Sequence, residues 1–178
     1  MSRRVFQKSQ RRSRNDAREV LEHFFLAETL APSRQLWIVS PWLRNFVLFD
    51  NRNGGFEAVL PDAPRRELRL LDVLREQLMA GTGMTVVTRA PPDDGGIHQA
   101  LKDIAVELGC PQLVRSVVAN DVHTKGVVGE SAAIIGSMNF THSGIEANTE
   151  LVELTNDSEV VSRLALEFTA AFGAVRVR

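Results

Sequence analysis

Cysteine is almost absent from this chain of 178 residues, and no stretch of it is long and apolar enough to cross a bilayer. The one cysteine, Cys110, cannot form an internal disulfide, and a membrane-spanning helix needs about 18 or more consecutive apolar residues. We therefore expect a cytoplasmic protein with no membrane partner. The four histidines and Cys110 also lack the paired spacing of a zinc site, so neither a metal nor another cofactor is expected.

Net charge is small as well, at −1, but it conceals a strong asymmetry. Residues 1–18 carry seven basic side chains against one acid, Asp16, which makes this segment +6 and leaves −7 on residues 19–178. Such an arm could bind phosphate backbones by counterion release, form a solvated tail, or serve as an Arg-rich import sequence. We treat residues 1–18 as a basic N-terminal arm and residues 19–178 as one folded domain.

The spacing of apolar residues predicts an α/β fold, with a mixed sheet layered between helices. Between the first strand and the second helix, residues 44–64 contain Gly54, Gly55 and two prolines, so we expect a long loop that could cover a site. The predicted strands are 35–40, 84–88, 113–118, 122–128, 132–135 and 151–154. The first predicted helix is capped at Asn15 or Asp16 and has its last apolar position at Leu30, and the other predicted helices are 65–79, 97–108 and 158–172.

Two short patterns bring together side chains suited to phosphate chemistry. Residues two apart on a strand point to the same side, so His123 and Lys125 would place a nucleophile beside a cation. Ser137 and Asn139 then supply hydrogen-bond donors at the end of the next strand, where Gly136 permits close backbone approach. A His-x-Lys triplet alone is common by chance, but its combination with Gly-Ser-x-Asn at this spacing is rare.

This combination resembles the HxK(x)4D(x)6GSxN motif of the phospholipase D superfamily. The matching residues are His123, Lys125, Gly136, Ser137 and Asn139. The order of predicted elements is also similar to one half of a two-motif family member, which implies a phospholipase D-like α/β/α sandwich with one motif per chain. Two departures are visible: Glu130 stands where the family has aspartate, and the hairpin that follows is one residue shorter.

The resemblance implies a role for each residue. His123 would attack phosphorus and form a phosphohistidine, while Lys125, Ser137 and Asn139 would hold the phosphoryl oxygens. Residues 148–150, Asn-Thr-Glu, are similar to the family's Asn-x-Glu, in which Glu150 would orient the nucleophilic histidine. The family's active site needs two motifs, so the second would come from another copy of this chain, in a homodimer formed through the active-site face.

Four further residues are candidate substrate contacts. Trp42 and Arg44 follow the first strand, Arg89 ends the second, and His142 lies shortly after the motif. An indole can stack on a base, and the arginines and the histidine can contact phosphate. Structural roles are the alternatives. Trp42 could pack at a dimer interface or against a lid, and His142 could lie in an ordinary surface loop.

The resemblance favours a metal-independent phosphodiesterase, foremost a nuclease that acts on DNA or RNA. Small members of the family also occur in bacterial DNA modification and phage defence. Two other functions remain open: a phospholipase or transphosphatidylase acting on lipid phosphodiesters, since the same chemistry serves any phosphodiester, and a non-catalytic nucleic-acid-binding subunit of a larger complex.

Overall fold

The structure is a computed structural model that describes residues 3–7, 16–60, 63–89, 96–146 and 151–173. Nine strands and five α-helices lie in these ranges, with one 3-10 turn at Pro111–Leu113. The strands are β1 (Arg3–Gln7), β2 (Gln35–Val39), β3 (Val47–Asp50), β4 (Glu67–Arg69), β5 (Gly83–Arg89), β6 (Val114–Ala119), β7 (Gly126–Val128), β8 (Ala133–Gly136) and β9 (Leu151–Thr155). The helices are α1 (Asp16–Leu30), α2 (Leu70–Met79), α3 (Ile97–Glu107), α4 (His142–Glu146) and α5 (Ser158–Phe172).

Seven strands form one mixed sheet in the order β1-β9-β8-β7-β2-β5-β6. Two neighbouring pairs are parallel, β2 with β5 and β5 with β6. The other four pairs are antiparallel: β2 with β7, β7 with β8, β8 with β9, and β9 with β1. A separate two-stranded sheet contains β3 and β4. The predicted α/β class with a mixed sheet is confirmed. None of the helices in the described ranges is long and apolar enough to span a membrane.

Helices cover both faces of the sheet, which explains why its central strand is continuously apolar. On β2, Leu36 and Ile38 point into a core shared with α1, α2 and α3, whereas Trp37 and Val39 point into a second core shared with α5. The rings of Trp37 and Phe168 meet edge to face at 6.2 Å. Because side chains alternate between the two faces of a strand, a strand buried on both faces reads as an unbroken apolar run.

The prediction for residues 44–69 is wrong in part. The expected loop contains β3, and residues 67–69, which we assigned to a helix, form β4 instead. Leu68 had counted toward helical spacing, but it lies on the inner side of this hairpin and is buried with Leu48 and Phe49. Short strands of this kind are stabilised by pairing and burial more than by local periodicity, so a helical pattern in the neighbouring residues hides them.

The predicted strand 122–128 is also shorter than expected, because its first four residues lie outside the ladder. Gly126 pairs with Val39, the last residue of β2, and beyond Val39 the chain turns away through Ser40 and Pro41. Residues 122–125 therefore have no β2 neighbour to pair with. His123 and Lys125 accordingly precede β7 and do not lie on it.

Part of the basic arm is structured. Residues 3–7 form the edge strand β1, which pairs with β9, and α1 begins at Asp16. Arg18 lies on this helix, and its guanidinium donates a hydrogen bond to the carbonyl oxygen of Val47 at 3.1 Å, which ties α1 to the β3–β4 hairpin. Residues 8–15 lie outside the described ranges.

Candidate active site

The sheet topology brings the motif residues to one edge. β7 runs antiparallel to β2 and β8 antiparallel to β7, so the segment that enters β7 and the segment that leaves β8 lie beside the end of β2. His123 and Lys125 are in the first segment, and Ser137 and Asn139 are in the second. These two segments, which are more than ten residues apart in sequence, therefore meet at the edge of the sheet where β2 ends.

His123 and Lys125 lie in an extended segment that is anchored on both sides. Val122 is buried in the core against α5, and the carbonyl oxygen of Lys125 accepts a hydrogen bond from the amide of Gly136 at 3.3 Å. The Lys125 ammonium donates to the carbonyl oxygen of His123 at 2.5 Å. The His123 side chain is exposed. The predicted nucleophile, His123, is therefore accessible, and the ammonium group of Lys125 lies beside the backbone of His123.

Gly136 is required by the neighbouring strand. A methyl group placed at its Cα would lie 2.1 Å from the carbonyl oxygen of Leu151, the first residue of β9. The sequence had suggested close approach of a phosphate at this glycine. The close approach seen in the structure is that of the β9 backbone.

The hydroxyl of Ser137 accepts a hydrogen bond from the Leu151 amide at 3.0 Å, and the Ser137 amide donates to the Leu151 carbonyl oxygen at 3.0 Å. This double contact fixes the serine at the edge of the sheet. Glu150 directly precedes Leu151 in sequence, but residues 147–150 lie outside the described ranges. The orienting role of Glu150 therefore stays a prediction.

Asn139 carries a buried amide oxygen, Oδ1, for which the described residues offer no hydrogen-bond partner. Leaving such an acceptor unsatisfied costs about 1–3 kcal/mol, and structures tolerate it chiefly where the group has a function. Its neighbour Met138 points into the core and holds the backbone in place. Asn139 thus places a buried amide at the edge where the motif residues meet.

Beside this edge is an open groove of about 640 Å³. Three of the four predicted substrate contacts, Trp42, Arg44 and His142, line it. Arg69 also lines the groove, a role that its sequence neighbours did not indicate because their spacing predicted the interior of a helix. Arg89 is near, since its amide donates to the Pro41 carbonyl oxygen at 3.2 Å, but its side chain is not among those that line the groove.

Glu130, the counterpart of the family's aspartate, lies at the opposite end of β7 from Lys125. Glu130 follows Lys125 by five positions, which corresponds to roughly 16 Å at the rise of a β-strand. The carboxylate of Glu130 accepts from Arg34 Nε at 2.8 Å, and its amide donates to Ser33 Oγ at 2.7 Å. Hydrogen bonding and the positive charge of Arg34 lower the pKa of Glu130. Its contacts join the turn between β7 and β8 to the segment before β2.

Next to this turn is a buried acid, Glu28, whose side chain is only 3% exposed. It accepts hydrogen bonds from the amide of Ser33 at 3.1 Å and from its hydroxyl at 3.0 Å. Burial raises the pKa of Glu28, and the bonds from Ser33 offset this only in part. A side chain at Gly129 would collide with this carboxylate, so the acid and the turn pack directly together.

The layered sheet and the single HxK and GSxN edge define a phospholipase D-like domain. The family model described as "Cardiolipin synthase, PLD-like domain" matches residues 59–172, more than half of the chain. The chain therefore belongs to the phospholipase D-like family, which confirms the resemblance inferred from the motif. No curated protein matches its sequence significantly.

Solved structures share this fold at low sequence identity. NucT from Helicobacter pylori is 12% identical with a TM-score of 0.57, and the match covers 95% of this chain and 94% of that one. Nuc from Salmonella typhimurium, a phospholipase D family member, is 16% identical with a TM-score of 0.55, over 95% and 92% of the two chains. A polyphosphate kinase from Porphyromonas gingivalis is 9% identical with a TM-score of 0.60, over 95% of this chain but 26% of the kinase.

Replacement of Gly136 by alanine should destabilise the protein by about 1–3 kcal/mol, because β8 and β9 must separate to admit the new methyl group. Gly55→Ala is the matched control, since no atom lies within 4 Å of the added methyl group at that position. Urea unfolding followed by circular dichroism measures both variants. Equal stability of the two would contradict the tight β8–β9 contact.

Replacement of Glu28 by glutamine should alter the pH dependence of stability. A carboxyl group whose pKa is raised in the folded state stabilises the fold at low pH, and this contribution is lost as pH rises through the folded pKa. The free energy of unfolding of the wild type, relative to Glu28→Gln, should therefore fall as pH increases above the ordinary glutamate value of 4.5. Glu167→Gln on α5, whose side chain is 61% exposed, is the matched control, and an equal change of the pH profile in both variants would contradict the role of burial at Glu28.

Proposed function

We propose that this protein is a metal-independent phosphodiesterase, and specifically a nuclease that acts through a phosphohistidine in a site shared between two identical subunits. The observation that carries the proposal is the convergence of His123, Lys125, Ser137 and Asn139 on one edge of the sheet. These four side chains provide one nucleophile and three donors for phosphoryl oxygens.

The reaction would proceed by two successive displacements at phosphorus. The neutral ring of His123 attacks phosphorus, so a P–N bond forms as the bond to the leaving oxygen breaks, and that oxygen takes a proton from a second histidine. Water then attacks phosphorus, gives its proton to that second histidine and releases His123. Glu150 would hold the other ring nitrogen of His123 and so select its tautomer.

Three donors would stabilise the charge that builds up on the phosphoryl oxygens. An ammonium group has three hydrogens, so Lys125 can keep its bond to the His123 carbonyl oxygen and still donate to phosphate. The Ser137 hydroxyl is bonded to the Leu151 amide, and Asn139 follows Met138, whose burial anchors the backbone. Donors fixed before the reaction stabilise the transition state without reorganising.

The second histidine would be His123 of a second copy. A two-fold axis through the site edge brings the same patch of both subunits together. Each histidine would then act as nucleophile or as acid.

Nucleic acid is the favoured substrate because of the basic residues 1–18 and the arginines that line the neighbouring groove. Lipid phosphodiesters are the second candidate, since the matching family model is named for a cardiolipin synthase and phosphatidylserine synthase from Haemophilus influenzae shares the fold with a TM-score of 0.54. A binding subunit without activity, in DNA modification or phage defence, is the third.

Replacement of His123 by asparagine should lower hydrolysis of bis(p-nitrophenyl) phosphate by about 10³-fold or more, because asparagine keeps a similar size but removes the nucleophile. His23→Asn, which changes an exposed histidine on α1, is the matched control and should retain the wild-type rate. The assay is run in excess EDTA. Activity that appears only with added magnesium, or that survives His123→Asn, would contradict the mechanism.

A mixed dimer of one wild-type and one His123→Asn subunit should lose nearly all activity, because its single shared site lacks either the nucleophile or the acid. Two different affinity tags and co-expression allow this species to be purified. A mixed dimer with half of the wild-type rate, or a fully active monomer in sedimentation, would show that each chain carries a complete site.

A further inference from the structure

We propose that the groove beside the site edge binds one unpaired nucleotide next to the scissile phosphate, with its base on Trp42 and its phosphate between Arg44 and Arg69. This inference rests on the proposed function and extends it to a substrate class, single-stranded nucleic acid. The groove is lined chiefly by Trp42, Arg44, Asn45, Arg69, His142 and Ser143.

Trp42 presents its ring from a backbone that is fixed on both sides. The Ser40 hydroxyl donates to the Trp42 carbonyl oxygen at 2.8 Å, and the next residue, Leu43, is completely buried and bridged to Phe140. The Trp42 side chain is nevertheless 43% exposed. Its indole, carried by this fixed backbone and partly exposed in the groove, is a flat apolar group of the kind on which a base can stack.

Two arginines lie on the walls of the same groove. The amide of Arg44 donates to the Phe140 carbonyl oxygen at 2.9 Å, which connects this residue to the strand end that carries Asn139. Arg69 Nη1 donates to the Asn45 carbonyl oxygen at 2.8 Å. The Asp72 carboxylate, which accepts from the Arg69 amide at 2.7 Å, also interacts with the charge of Arg69. The side-chain bond itself goes to a neutral carbonyl group, and a guanidinium has five N–H donors, so donors remain for a phosphate.

A second groove of about 790 Å³ shares Asn45 and Arg69 with the first one, but its other arginines are neutralised. Arg52 pairs with Asp50 at 2.6 Å, Arg65 with Glu57 at 2.7 Å and Arg66 with Asp72 at 2.8 Å. These ion pairs leave little net positive charge for further phosphates. We therefore confine binding by this region to about one nucleotide.

The geometry also selects the form of the substrate. Stacking on Trp42 needs a free base face, and in a duplex both faces of each base are covered by its neighbours. A lipid headgroup supplies the phosphate but no aromatic ring. A single strand provides both. The groove adjoins the segment that carries Asn139, because the Arg44 amide donates to the Phe140 carbonyl oxygen, so a nucleotide bound there would lie next to the phosphodiester at the site edge.

The experiment uses the full chain with His123→Asn, so that the probe is bound but not cut. Probes are a labelled oligothymidylate of about eight nucleotides and an abasic strand of equal length, because sites on single strands cover roughly 4–16 nucleotides. Fluorescence anisotropy gives the dissociation constant over a range of salt concentrations. Circular dichroism verifies that each variant is folded.

We expect Trp42→Leu to weaken oligothymidylate binding by about 5- to 100-fold and to change abasic binding little. Arg69→Gln should weaken binding of both strands and flatten the plot of log K against log salt by about 0.7, the loss of one phosphate contact on a single strand. Arg75→Gln is the matched control: its partner is Glu107 on α3, outside the groove, and both affinities should be unchanged.

Binding that is insensitive to Trp42→Leu, or equal for the two strands, would overturn the stacking site, as would preference for duplex or for phosphatidylglycerol vesicles. These results would leave the proposed function intact if bis(p-nitrophenyl) phosphate is still hydrolysed through His123. Conversely, the protein could bind oligothymidylate through Trp42 and Arg69 but hydrolyse no diester. That result would support the binding groove and contradict the proposed reaction.

Discussion

The antiparallel pairing of β7 with β2 is the constraint on which the site depends. Gly126 opposite Val39 sets the point at which the ladder stops, so the residues before Gly126 emerge where β2 ends. The reversal between β7 and β8 then returns Ser137 to the same edge. Had β7 been parallel to β2 with its hairpin to β8 kept, the whole motif would lie at the edge where β2 begins, away from the segment after β2 that carries Trp42 and Arg44.

The turn at that opposite edge has a separate role. Glu28, Ser33, Arg34 and Glu130 form a network that joins the end of α1 to the turn between β7 and β8. Because β7 has only three ladder residues, its position depends strongly on what holds its ends. A longer acid at position 130 and a shorter hairpin are both accommodated at this turn, away from the site edge.

Much of this arrangement could be predicted from the sequence. Long apolar runs such as residues 35–39 indicated buried strands, and the exact residue types of the motif indicated the site edge, because both signals are local. The β3–β4 hairpin could not be predicted, since its strands are short and paired across about twenty residues. Arg69 was missed with it: its place in the groove depends on that pairing and on no feature of its neighbours in sequence.

Chemistry and recognition are carried by different stretches of the chain. The motif from His123 to Asn139 spans β7, β8 and the residues that flank these two strands, whereas Trp42, Arg44 and Arg69 lie in the segment between β2 and α2. Its groove-lining side chains can change without altering a ladder hydrogen bond of β7 or β8, whereas Leu48, Phe49 and Leu68 of the same segment are fixed by the main core. Related proteins could therefore diverge in the molecule they accept while the reacting groups stay the same, and grafting residues 42–69 between relatives becomes a route to redesigning selectivity.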